Sequence, residues 1–112
     1  MTAPFEELAA LDKRVHEPAR LAILTALDAC EEADFVYLQR LTGLSKGNLS
    51  AHLTRLDDGG LVSIDKRFVG KTPRTTIRLS DEGIRAVAAH WQQLDELRRA
   101  SARWRRDGPA DT

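Results

Sequence analysis

The chain has 112 residues, 42% hydrophobic and 30% charged, the length and composition of a soluble globular protein with one modest core. No apolar run approaches the roughly 18 residues of a membrane span, residues 1–10 lack the basic start and apolar stretch of a secretory signal, and the lone Cys30 has no thiol partner for a disulfide or a metal site. The net charge of zero is segregated, since residues 1–37 hold three Lys or Arg against eight Asp or Glu, residues 38–78 hold eight against three, and the remainder balance at six each, so the middle can face a polyanion that the first third would repel.

Pro4 is followed by Phe5, Leu8, Leu11 and Val15, apolar spacings of three and four that predict a first helix with proline in its opening turn. Pro18 sits where a first-turn proline belongs, and Leu21, Ile23, Leu24, Leu27 and Cys30 predict a second helix ending near Cys30. Asp34 is a good N-cap for a short third helix with Phe35, Leu38 and Leu41, and Gly43 is placed to close it in a left-handed conformation. Ser45 then caps a fourth helix whose Leu49, Leu53 and Leu56 face inward. Two short helices joined through a glycine make a helix-turn-helix.

After Asp57-Asp58-Gly59-Gly60 the apolar period changes to two at Val62 and Ile64, which marks a strand. Thr75 to Leu79 is expected as its partner, with Val69 to Arg74 as a Gly- and Pro-punctuated loop carrying Lys71 and Arg74. The pair reads as a β-hairpin with a basic tip. Ser80-Asp81-Glu82 caps and starts a long helix expected to reach about Arg106. On it Ile84, Val87, Ala88 and Trp91 should share one face, from which Leu94, Leu97 and Trp104 drift away. Residues 107–112 lack an apolar anchor and are expected to be a disordered tail. The expected fold is therefore α+β, mainly α: a winged helix-turn-helix over residues 1–106.

The run Leu44-Ser45-Lys46-Gly47-Asn48-Leu49-Ser50-Ala51-His52-Leu53, with Leu56 and Gly60-Leu61-Val62, resembles the recognition-helix signature of small winged-helix regulators in the MarR and ArsR superfamily. The resemblance continues through Lys66, Phe68, Gly70, Pro73-Arg74-Thr75, Leu79 and Gly83 and covers roughly residues 16–90. It implies a three-helix core, a recognition helix over about residues 45–58 in the major groove, and a wing over about 62–79 on the flanking backbone or minor groove. The ArsR kind of metal-sensing cysteine pair is missing from this sequence.

On the fourth helix the outward face carries Lys46, Gly47, Asn48, Ala51 and Arg55, with Ser50 and His52 at its flanks. Gly47 and Ala51 permit close approach to base edges, Asn48 suits adenine and Lys46 suits guanine or a phosphate. Ser50, His52 and Arg55 are expected as contacts to phosphate, which fix register, and Ser45, the cap, as a further DNA contact. On the hairpin, Lys66, Lys71, Thr72 and Arg74 are the expected contacts, with Lys66 and Arg67 also suited to discouraging edge-to-edge pairing and Arg74 to bracing Asp65. Phe5, Leu8 and Leu11 of the first helix, with Trp91, Leu94, Leu97 and Trp104 of the last, are expected to meet their equivalents in a homodimer; curved packing within one chain is the alternative.

His16, His52 and His90 share no ligand spacing, so no metal is expected, and Cys30 is expected as a small buried hydrophobe. No Gly-rich phosphate loop, paired-carboxylate site or nucleophile–base set is present in the sequence, so neither a cofactor nor catalysis is expected. The expected partner is double-stranded DNA, bound by a homodimeric regulator, most simply a repressor. The competing expectation is a protein-interaction module with incidental DNA affinity, and an effector that respaces the recognition helices would be compatible with the first.

Overall fold

A computed structural model describes residues 5–107. Its elements run α1 (Glu6–Ala9), α2 (Pro18–Cys30), β1 (Glu32–Asp34), α3 (Phe35–Thr42), α4 (Lys46–Asp58), β2 (Val62–Val69), β3 (Thr72–Leu79) and α5 (Asp81–Asp107). The three strands form one antiparallel sheet in the order β1-β3-β2. Leu24 and Leu27 of α2, Leu38 of α3, Leu49, Leu53 and Leu56 of α4, Ile77 of β3 and Val87 of α5 meet in one buried cluster.

The helix-turn-helix is fixed by its capping residues. Asp34 accepts the Tyr37 N–H at 2.8 Å, Gly43 closes α3 at φ 71° with its N–H on the Gln39 carbonyl, and Ser45 Oγ accepts the Asn48 N–H at 3.1 Å. Upstream, Glu17 plays the same part for α2, accepting the Ala19 and Arg20 N–H groups beside Pro18 in the first turn.

Four expectations need correction. The first helix covers only Glu6–Ala9. It stops because Asp12 draws the chain into a turn, its carboxylate accepting the Arg14 N–H and its carbonyl those of Val15 and His16, so Leu11 and Val15 are buried from irregular backbone. The hairpin loop is only Gly70-Lys71, with Gly70 at φ 67°, and Pro73 lies within β3 opposite Phe68. In a two-residue hairpin this second pair exchanges no hydrogen bonds across the strands, and β1 reaches β3 only at Thr76–Arg78, so the N–H that proline lacks has no partner to lose.

The third correction is β1 itself, in which only Ala33 of the three residues is buried. The fourth concerns α5. Its inward face is Gly83, Val87, His90 and Leu97, whereas Ile84, Ala88 and Trp91 are exposed. Asp107 is the last residue of α5; Pro4 and the rest of the expected tail, residues 108–112, fall outside the described residues.

His90 is 3% exposed. Its Nε2 lies 3.5 Å from His16 Nδ1, and its own Nδ1 is buried without a hydrogen-bond partner among the described residues. Burial, then the neighbouring His16, holds His90 below the ordinary histidine range, with Asp12 opposing. The folded chain therefore resists a proton that the unfolded chain accepts near pH 6.5, so this contribution to stability is complete above about pH 6.5 and is lost as pH falls further. Urea midpoints should fall between pH 7.5 and pH 5, and His90→Leu should flatten that dependence; an unchanged slope in the variant would show that other groups carry it.

Candidate nucleic-acid interface

The core fixes the α4 face that remains outside. Leu49, Leu53 and Leu56 are buried, and Lys46, Gly47, Asn48, Ser50, Ala51, Thr54 and Arg55 are exposed. β2 and β3 continue from the core past the same helix. Along the face shared by Val62, Ile64, Lys66 and Phe68, the cross-strand partners are Leu79, Ile77, Thr75 and Pro73. The inner pairs are core, and the outer ones leave it.

Between α4 and the hairpin lies an open groove of about 580 Å³. Lys46, Ser50 and Thr54 line it from the helix, and Lys66, Thr72 and Arg74 from the hairpin. Its carboxylate, Asp34, is engaged in capping α3. Among the described residues, Lys46, Lys66, Lys71 and Arg74 form no ion pair. Cations left uncompensated beside hydroxyls on a concave surface suit an anionic backbone passing through it.

The remaining expected contacts distribute unevenly. Gly47 and Asn48 are exposed on the first turn of α4, and Lys71 is at the hairpin tip. Ser45 is occupied as a cap. Arg55 lines a separate cavity with Lys13, Arg14 and Arg20. The His52 side chain is 18% exposed, with Nδ1 3.8 Å from a Glu17 oxygen, so it faces the start of α2. Arg67 is ion-paired with Asp65, the role considered for Arg74, and this keeps its guanidinium charged beyond the ordinary range.

Two hydroxyl-bearing groove residues escape the sequence-based selection. Thr54 lies one helical turn beyond Ser50, on the same outward face, and Thr75 pairs with Lys66. Thr54 was detectable from its helical spacing, whereas Thr75 follows only from the observed register.

Of the residues expected at a subunit contact, Leu11 and Leu97 are buried within the chain, at 4% and 7% exposure. Leu94 is half-buried. Phe5, Leu8, Trp91 and Trp104 remain exposed, with the Phe5 and Trp104 rings in edge-on contact at 6.2 Å. Trp91 also borders an apolar groove with Leu21, Cys30, Tyr37 and Leu41.

Residues 19–98 match the model of a family described as the winged helix DNA-binding domain. The HTH-type transcriptional regulator YgaV of Escherichia coli (strain K12) is 33% identical over 89 residues, 80% of this chain and 86% of that protein. The structure of a transcriptional regulator homologue from Pyrococcus horikoshii OT3 superimposes with a TM-score of 0.75 at 30% identity, covering 82% of this chain and 93% of that one. A MarR family transcriptional regulator from Silicibacter pomeroyi DSS shares the fold, with a TM-score of 0.64 at 20% identity over 95% of this chain and 64% of its own.

Proposed function

The chain belongs to the winged helix DNA-binding domain family, a family of non-enzymatic transcriptional regulators, and from that premise we propose that it acts as a cytoplasmic homodimer that reads a pseudo-palindromic operator and represses the adjoining gene. The observation that carries this reading is the groove in which α4 and the hairpin set Lys46 and Ser50 opposite Lys66, Thr72 and Arg74. In the proposed complex α4 enters the major groove through Lys46, Gly47 and Asn48, while the wing follows the flanking backbone toward the minor groove. Residues 1–106 act as one unit. Occupancy of an operator then excludes other proteins from the same DNA.

Support for the dimer comes from α1 and α5. Leu8, Ile84 and Trp91 are 45%, 50% and 46% exposed, which is apolar surface that an isologous partner would cover. A small-molecule effector bound between these helices and α2 would act by changing the spacing of the two α4 helices.

Fluorescence anisotropy on DNA from upstream of the gene, against scrambled DNA and over a range of salt, tests the reading. Two chains should bind each specific duplex, with affinity falling steeply as salt rises. Lys71→Ala should weaken binding to both DNAs and reduce the salt slope by about 0.9, the loss of one phosphate contact. An unchanged slope would remove Lys71 from the interface, and no binding even at low salt would refute the function itself.

A further inference from the structure

We propose that Phe68 and Pro73 form an apolar wedge at the end of the wing that packs against sugars and base edges in the minor groove of duplex DNA, a contact that rests on the DNA-binding reading above. Phe68 is 72% exposed, more than any other large hydrophobic side chain among the described residues. The register sets it directly opposite Pro73, and the period of two places both on the face that carries Lys66 and Thr75 in the wall of the α4 groove. The wedge is the next step outward along that wall. Only the two-residue Gly70-Lys71 turn lies beyond the following Val69–Thr72 pair, so the ring is held on paired backbone.

The surroundings select the occupant. Lys66, Arg67, Lys71 and Arg74 flank the pair, and the nearby Asp65 is neutralised by Arg67. A second copy of the same wing would bring like charges together. Duplex DNA supplies phosphates for the cations and, in its minor groove, an apolar wall of sugars, where Phe and Pro side chains are known to insert at base steps. Such a contact favours the flexible pyrimidine–purine steps and selects sequence through deformability.

The test uses the full chain and a duplex selected by it from a randomised pool, with 2-aminopurine placed at successive steps flanking the α4 site. Phe68→Ala should keep its melting temperature, bind that duplex roughly tenfold more weakly with an unchanged salt slope, and abolish the 2-aminopurine fluorescence rise seen with the unsubstituted chain; Phe68→Leu should retain part of the affinity. Equal affinity in Phe68→Ala would overturn the wedge. So would a loss accompanied by altered stoichiometry, which would assign Phe68 to subunit pairing, or binding of an acidic protein that depends on Phe68 while DNA binding does not. If the unsubstituted chain selects no duplex at all, the DNA-binding reading fails before the wedge is reached.

Discussion

Gly83→Ala is expected to destabilise the protein by about 3 kcal/mol, toward the upper end of what overpacking a tight contact costs. A Cβ at this position would stand 2.0 Å from the Leu61 carbonyl oxygen and 3.0 Å from its carbon, and backbone cannot rotate away as a side chain can. The junction has little slack. Ser80 N–H donates to that same Leu61 oxygen at 3.0 Å, Ser80 Oγ binds the Gly60 carbonyl and accepts the Gly83 N–H, and Gly60 itself sits at φ 77°. Arg14 adds a clasp from the other side, donating to the Gly59 carbonyl and to Glu82. Alanine is the better helix former by about 1 kcal/mol, so the net loss is a lower bound on the steric cost. Urea unfolding measures it, with Gly47→Ala as control, since an added Cβ there meets nothing within 4 Å. Equal stability of Gly83→Ala and the parent would mean that α5 can shift away from the β2 entry freely.

Asn48→Ala is expected to leave stability unchanged and to cost about 1–3 kcal/mol of discrimination at one base pair, roughly fivefold to 150-fold. Asn48 lies in the first turn of α4, with its backbone N–H taken by Ser45 and its residue exposed, so its side-chain amide is available to a base edge. The measurement is competition anisotropy on the selected duplex against duplexes changed at each position in turn. Relaxed preference at a single A·T pair, with affinity for scrambled DNA preserved, is the expected pattern. A uniform loss over all sequences would instead make Asn48 a backbone contact.

The helix-turn-helix was legible because its signals are local. Asp34, Gly43 and Ser45 act on backbone within three or four residues of themselves, and the leucines of α4 repeat at helical spacing. β1 was hidden because Glu32-Ala33-Asp34 offers one buried side chain and becomes a strand only by pairing with β3, more than forty residues away in sequence. The first helix failed for the opposite reason: its apolar spacing was right, and a local competitor, the Asp12 turn, ended it while leaving Leu11 and Val15 in the core. On α5 the inward stripe includes His90 and Gly83, which hydrophobic periodicity does not count, so the face was assigned one position off.

The residues of the candidate interface were legible as residue types but not as an arrangement. Residue types identified the cations of α4 and the wing, but only the folded arrangement separates Lys46 and Lys66 at the α4 groove from Arg74, which also borders a second cavity with Arg67 and Arg78, from Arg55 beside Arg20 and from His52 against Glu17. Burial also moves Leu11 and Leu97 inside the chain, which sequence spacing alone could not distinguish from an exposed seam.

The leucines that hold α4 in place, Leu49, Leu53 and Leu56, belong to the same buried cluster as Leu24, Leu27 and Ile77. The helix α4 is therefore held by the core of the chain and not by a cluster of its own. Heat, acid or a core mutation that loosens the cluster lowers the concentration of chains able to bind DNA by the same factor as it lowers the folded population. In the protein's proposed role as a repressor, the gene it holds would be released along its melting curve, making temperature an input to transcription without any ligand to sense it.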